Sequence, residues 1–244
     1  MASRGKVIQS ATRDTEDRKT RWRRYPHLFL IVCEDESTEP YYFSKFKDEF
    51  EKIYPRETVF LRPVGTGRNS KGVVEQAVIM RKKLLYESNK KVDEVWAVFD
   101  KDDLDQSAGN KKRFEDAFEI AQNENISIAY SNEAFELWLL LHFVDVDVNT
   151  PIFRYEIYSK LEEVINKGRS DGTKFIYNHG ETQIIDLVVK SGNESKATLR
   201  AESLDNTFFQ KGIKPIDANP NTKFFLLVRR LRELLEWYSY KPDN

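Results

Sequence analysis

HLFLIVCEDESTEP, residues 27–40, is the stretch that decides the fold. Its first seven residues, His27 to Cys33, form a continuous apolar run, β-branched in part and closed by acids. A short unbroken run, rather than an alternation, is what a strand buried on both faces requires, as in a parallel sheet. Behind it, Ser37 or Thr38 can cap a helix that carries Pro40 in its first turn. Phe43, Phe46, Phe50 and Ile53 then recur at helical spacing.

The same reading extends outward. Thr58 to Val64 reads as a second strand, followed by the turn Gly65-Thr66-Gly67. Val73, Ala77, Met80 and Leu84 mark one face of a helix over Lys71 to Glu87. EVWAVF, Glu94 to Phe99, is a third buried strand, and Ile126 to Tyr130 a fourth. Between them a helix over Lys111 to Gln122 buries Phe114, Ala117, Phe118 and Ala121. Buried strands alternating with amphipathic helices specify an α/β, Rossmann-like domain: a mostly parallel four-stranded sheet flanked by helices. After Phe143 no further buried strand is evident. Helical spacing appears at Ile157, Leu161 and Val164, with Gly168 as a stop, at Ile184, Leu187 and Val188, and at Ala197, Ala201 and Leu204. A last helix is expected from Asn219-Pro220, a cap followed by proline. The chain thus divides into a basic arm (1–25), an α/β domain (26–145) and a helical extension packed on it (146–244).

Composition narrows the function. The 244 residues carry 39 Lys and Arg against 40 Asp and Glu, a formal charge of −1. That excludes a strongly basic coat protein and a polyanionic tail, but not a local nucleic-acid site. Aromatics at 13% exclude a disordered chain. No apolar run approaches the roughly 18 residues of a membrane span, and the amino-terminal segment lacks an apolar signal core, so a cytoplasmic protein is expected. Cys33 stands alone, which removes intramolecular disulfides and multi-cysteine zinc sites, and His27, His142 and His179 are scattered. Any metal is therefore one that carboxylates hold, Mg²⁺ or Mn²⁺. The arm ends in Lys19, Arg21, Arg23 and Arg24. It is either a solvated tail or a phosphate-binding arm with Trp22 and Tyr25 placed to stack on bases.

Open parallel sheets bind ligands beyond the carboxyl ends of their strands. Glu34-Asp35-Glu36-Ser37-Thr38-Glu39 follows the first strand, Asp100-Lys101-Asp102-Asp103 the third, and Ser131-Asn132-Glu133, with Glu136 one turn on, the fourth. Residues i and i+2 at a strand end project the same way, so Asp100 and Asp102 can grip one cation with Glu34 completing the site. Massed carboxylates without a cation repel and raise each other's pKa, whereas paired divalent ions serve phosphoryl transfer. Taken singly, such strand-end acids are ordinary caps and loop residues; their convergence carries the metal reading. Ser131 to Phe143 is expected to be a helix with Asn132, Glu133 and Glu136 on one face, and Glu136 is a candidate for a second metal. His142 reads as a hydrogen-bonded core residue. Lys101, Arg68 and Lys71, with the arm, are candidates for phosphate contacts. Gly65-Thr66-Gly67-Arg68-Asn69-Ser70 lacks the third glycine of a dinucleotide loop and reads as a turn using left-handed backbone. Neither a P-loop nor a G-x-S-x-G elbow occurs.

Four blocks, IVCEDESTEPYYF, VWAVFDKDD, SNEAFELWLLLHF and NPNTKFFLLVRRL, together resemble the RloB-like family over residues 27 to 240, weakly between Phe143 and Pro215. Glu34 with Thr38-Glu39-Pro40, then an apolar strand ending in Asp-x-Asp, also resembles the toprim domain of topoisomerases, primases and OLD-family nucleases. The resemblance implies a toprim fold, with metal ligands at Glu34, Asp100 and Asp102. It implies a second acid at Glu39 and a further serine–glutamate pair at Ser131 and Glu136. Asp35 stands where the family usually has glycine, and Glu133 where it usually has proline. A Mg²⁺-dependent nuclease follows, cutting RNA such as tRNA, or DNA, as an abortive-infection effector in anti-phage defence. The resemblance also implies an ATPase partner, which the missing P-loop fits. A binding subunit without catalysis is the alternative. The helical part is open to reading as a homodimer interface, a partner dock or a substrate lid.

Overall fold

The computed structural model describes residues 27–53, 59–101, 108–169 and 173–239. The amino-terminal residues with Arg23 and Arg24, and Asp102 and Asp103, lie outside the described residues.

The buried runs form strands β1 (His27–Cys33), β2 (Val59–Gly65), β3 (Glu94–Asp100) and β4 (Ser127–Asn132). Helix α1 (Thr38–Ile53) connects β1 to β2, α2 (Ser70–Ser88) connects β2 to β3, and α3 (Ala108–Asn123) connects β3 to β4. The helical segments that follow are α4 (Glu136–Leu141), α5 (Arg154–Lys167), α6 (Gln183–Ser191), α7 (Glu194–Gln210) and α8 (Phe224–Ser239). Sheet order is β2-β1-β3-β4-β5, with the first four strands parallel and β5 (Asn221–Thr222) antiparallel to β4. Among the described residues the sheet therefore has five strands, one more than the apolar runs foretell. Two residues leave no periodicity in a sequence. They hold their place by register, Ser131 opposite Thr222 and Asn132 opposite Asn221.

Alternation along the strands divides the core. Leu28, Leu30 and Val32 of β1 face α2 and α3, where Val73, Ala77, Phe114 and Ala117 meet them. Phe29, Ile31 and Cys33 face α1 and the later helices, packing with Phe43, Trp138, Ile157 and Phe224. This is the period-two geometry of a strand covered on both sides. Most buried apolar residues after Phe143, from Ile152 to Leu235, share that second core, while Ile216 joins the first.

Two local expectations are corrected. Ser131 and Asn132 belong to β4, and the helix beyond them is confined to α4. The last helix starts at Phe224, not at Asn219-Pro220. Asn219 is not its cap, because its side-chain oxygen accepts the Ile152 N–H at 3.0 Å, and Asn221 and Thr222 are drawn into the sheet.

Candidate functional site at the carboxyl edge of the sheet

The β1–α1 connection runs outward to β2, whereas the β3–α3 connection runs the other way to β4. The sheet therefore changes direction between β1 and β3, the position at which open α/β sheets form their ligand crevice. Glu34 leaves β1 there and Asp100 ends β3. The Glu34 N–H donates to the Val98 carbonyl at 2.9 Å, extending the β1–β3 ladder by one step. The Glu34 carboxylate accepts the Asp100 N–H at 3.0 Å.

The loop after β1 is held from two sides. Asp35 accepts from the N–H groups of Glu36 and Thr38, at 2.8 and 2.6 Å, and from the Thr38 and Ser37 hydroxyls. Burial alone would raise the Asp35 carboxyl, yet these donors hold it below its ordinary value. Asp35 thus shapes the turn and caps α1. On the other side lies the turn Gly65 to Gly67. The Gly67 N–H donates to the Glu34 carbonyl at 2.9 Å, and the Thr66 hydroxyl to the Cys33 carbonyl at 2.9 Å. A Cβ on Gly65 would stand 2.4 Å from the Glu36 Cα, and Gly67 has φ +60°. Gly67 takes the left-handed backbone read from the sequence, Gly65 allows a close approach that the sequence did not announce, and the partner of both is the acidic loop.

Glu39, in the first turn of α1, is buried and accepts the Asp35 N–H at 3.2 Å. Burial pushes its carboxyl well above the ordinary range, and the charges of Asp100, Glu34 and Asp35 add to the shift. Asp100 is raised likewise, first by burial and then by Glu136 and Glu34, with Arg154 opposing. One Asp100 oxygen accepts the Phe135 N–H at 3.0 Å. The other, Oδ1, is buried with no hydrogen-bond partner.

Glu136 is buried at the start of α4. Tyr177 donates its hydroxyl to Glu136 at 2.5 Å, and His179 Nδ1 lies 3.5 Å from the same oxygen. The Tyr158 hydroxyl sits 3.0 Å from His179 Nδ1. Burial raises the Tyr177 phenol and the neighbouring carboxylate raises it further. Tyr158, Tyr177, His179 and Arg154 are the residues that sequence spacing missed. They come from α5 and an irregular segment far along the chain, and only the polar-aromatic cluster Tyr177-Asn178-His179-Gly180 hinted at them.

The remaining expected residues fall as follows. The Ser131 hydroxyl is buried and paired with Thr222 at 3.0 Å. Asn132 donates to the Pro215 and Ile216 carbonyls, both at 3.3 Å. These two tie the carboxy-terminal segment to the sheet. Lys71 pairs with Asp116 at 3.0 Å, away from the acidic loop. Arg68 is exposed on the turn into α2. The Lys101 N–H donates to the Ser131 carbonyl at 2.8 Å. Glu133, in place of proline, accepts the first N–H of α5, from Arg154, at 2.9 Å. His142 is a core residue, with Nδ1 3.0 Å from the Trp138 carbonyl. Among the described residues no three His, Cys, Asp or Glu side chains are grouped as a metal ion requires. Asp102, the third expected ligand, lies outside them. The acids whose charges act together with Asp100, namely Glu34, Glu39 and Glu136, all offer oxygen, and the unpartnered Asp100 Oδ1 is an acceptor that a hard cation would satisfy.

A mostly parallel α/β sheet with a carboxylate crevice at its switch point defines the class. The model of the RloB-like protein family matches residues 29–231, and the chain belongs to that family. No curated protein and no solved structure matches it. No helix among the described residues is long and apolar enough to cross a membrane.

Proposed function

We propose that this chain is a divalent-metal-dependent nuclease that hydrolyses phosphodiester bonds in RNA, such as tRNA, or in DNA. We further propose that it acts in the cytoplasm as an anti-phage effector triggered by an ATPase partner. The observation that carries the nuclease reading is the Asp100 carboxylate. It sits at the switch point, with one oxygen oriented by the Phe135 N–H and the other buried without a partner, beside Glu34. A buried carboxylate oxygen left without a partner is the kind of arrangement found at working sites.

In this reading Asp100 and Glu34 hold Mg²⁺ or Mn²⁺ with Asp102. When bound, the ion supplies charge neutralisation at the phosphate and lowers the pKa of a coordinated water. Glu39, buried in the first turn of α1 with its carboxyl raised by burial and by the charges of Asp100, Glu34 and Asp35, supports a second ion or positions water at that edge. Glu136 is a weaker candidate for a second ion, because Tyr177 and His179 already occupy one of its oxygens. Lys101, Arg68 and the arm approach the phosphates. The resemblance to toprim nucleases supports this assignment of roles.

The test is cleavage of tRNA, single-stranded RNA and DNA in Mg²⁺ or Mn²⁺ by the wild type and by Asp100→Asn and Glu34→Gln. Cleavage by wild type and its loss in both variants is expected. Undiminished cleavage by Asp100→Asn would overturn the site. A second reading, a binding subunit without catalysis, is favoured by the lack of a three-ligand group among the described residues. Calorimetric titration with Mg²⁺ and Mn²⁺ separates the two, because no binding to the folded chain selects the second.

A further inference from the structure

Large exposed rings scattered singly over a surface need no explanation, but a contiguous group does. Phe153 and Tyr155, at the start of α5, are 57% and 78% exposed. One turn on, Tyr158 meets the Tyr155 ring edge-on, with centroids 6.3 Å apart and planes at 78°. The His179 ring lies nearly parallel to Tyr158, planes 15° apart at 6.1 Å, and half of its side chain is open to solvent. Tyr177 meets Tyr158 edge-on at 5.0 Å and reaches Glu136 through its hydroxyl. A run of rings therefore leads from solvent to a carboxylate whose charge acts on Asp100. Arg154 lies between Phe153 and Tyr155 in the chain, and its positive charge acts on Tyr158, Glu136's neighbour Asp100 and the His179 ring alike.

We propose that Tyr155, Tyr158 and His179 form a stacking platform for unpaired nucleobases beside the scissile phosphate, so that the chain takes single-stranded segments of nucleic acid. The inference rests on the nuclease reading of the Glu34–Asp100 edge. Two features favour bases over a protein partner. The rings are amphipathic and edged by polar groups, unlike the aliphatic stripe that receives an amphipathic helix. The positive charge of Arg154 also acts on both the rings and Asp100, which suits the backbone phosphate of a bound strand. Bases inside a duplex have both faces covered by their neighbours, so only unpaired ones can stack on protein rings.

The test uses the full chain in EDTA, which separates binding from cleavage. A short fluorescein-labelled oligonucleotide of mixed sequence, made as RNA and as DNA, is titrated by anisotropy as a single strand and annealed to its complement. Single strands are expected to bind about tenfold or more tightly than duplex. Tyr155→Ala, a change at an exposed ring, is expected to weaken single-strand binding about tenfold, and Tyr155→Trp to retain it. Equal binding of both forms, absence of binding, or single-strand binding unchanged in Tyr155→Ala overturns the platform. Cleavage in Mg²⁺ or Mn²⁺ is scored in parallel. If wild type cleaves and Tyr155→Ala binds like wild type, the platform falls and the nuclease reading stands. If ring-dependent binding occurs and neither ion supports cleavage, the nuclease reading falls and the rings stand only as a single-strand-binding surface.

Discussion

The Asp100 N–H donates to the Glu34 carboxylate across 3.0 Å, so that the ends of two adjacent parallel strands are joined by a side chain. The bond fixes Glu34 over the crevice and leaves the Asp100 carboxylate to face the other acids. Burial and the charges of Glu136 and Glu34 hold Asp100 well above its ordinary pKa. A carboxyl with a folded pKa above its unfolded value costs stability once the pH exceeds the unfolded value, near 4.

Asp100→Asn should therefore separate stability from activity. The amide oxygen still accepts the Phe135 N–H, and the repulsion ends. At neutral pH the melting temperature is expected to stay level or rise by a few degrees, while nuclease activity falls about a hundredfold or more. In wild type, Mg²⁺ raises the melting temperature by mass action, and in Asp100→Asn that increment disappears. Calorimetric melts with and without Mg²⁺ check both parts. A large fall in melting temperature would make Asp100 a structural residue.

Asp35 predicts the opposite pattern. Its carboxylate serves the turn and the start of α1, through the Glu36 and Thr38 N–H groups and two hydroxyls. Asp35→Ala is expected to cost about 1–2 kcal/mol, and Asp35→Asn less, because an amide oxygen keeps one acceptor. Urea denaturation measures the difference. If Asp35→Ala is as stable as wild type but has lost metal affinity, the acid belongs to the metal site instead.

Gly65 and Gly67 should differ in the damage a methyl group does. At Gly65 the new Cβ would meet the Glu36 Cα at 2.4 Å and the Asp35 carbonyl at 2.5 Å, both backbone atoms. Gly65→Ala is expected to cost about 3 kcal/mol and to displace the loop that carries Glu34. At Gly67 the nearest atom, 3.0 Å away, is the tip of the Glu36 side chain, which can move. Its φ of +60° makes Gly67→Ala cost about 1 kcal/mol. Stability and cleavage measured on both variants rank them, and an equal effect would contradict the loop packing.

The strands were legible because burial on both faces writes an unbroken apolar run, as at His27 to Cys33 and Glu94 to Phe99. The crevice was legible because Glu34 and Asp100 directly follow such runs. Strand β5 was not, since Asn221 and Thr222 are polar and are held by Ser131 and by Tyr130, whose hydroxyl accepts from Asn221 at 3.1 Å. Tyr177 and His179 were not, since they sit in irregular backbone and meet Glu136 only through tertiary packing. No spacing rule links residues 41 positions apart. Lys71 reads as a phosphate contact until the fold brings Asp116 to it from α3.

Glu94 opens β3 at the far end of the sheet, and its titration gives a pH test independent of the site. Burial alone would raise its carboxyl, yet the His27 ring at 3.3 Å and the Arg230 guanidinium hold it at about 2. Arg230 donates from Nε at 2.9 Å and from a terminal nitrogen at 2.6 Å, joining α8 to the sheet. A carboxylate with a depressed folded pKa stabilises fully above its unfolded value and loses that contribution as the pH falls through the folded one. The window here runs from about 4.5 down to about 2. Because the pair is partly open to solvent, its worth is discounted to about 1–2 kcal/mol. Glu94→Gln should lower the melting temperature at neutral pH by several degrees. It should also flatten the loss of stability between pH 4.5 and 2 relative to wild type. Denaturation followed across that range decides the matter. Parallel curves for the two proteins would show that the bridge between α8 and β3 contributes nothing.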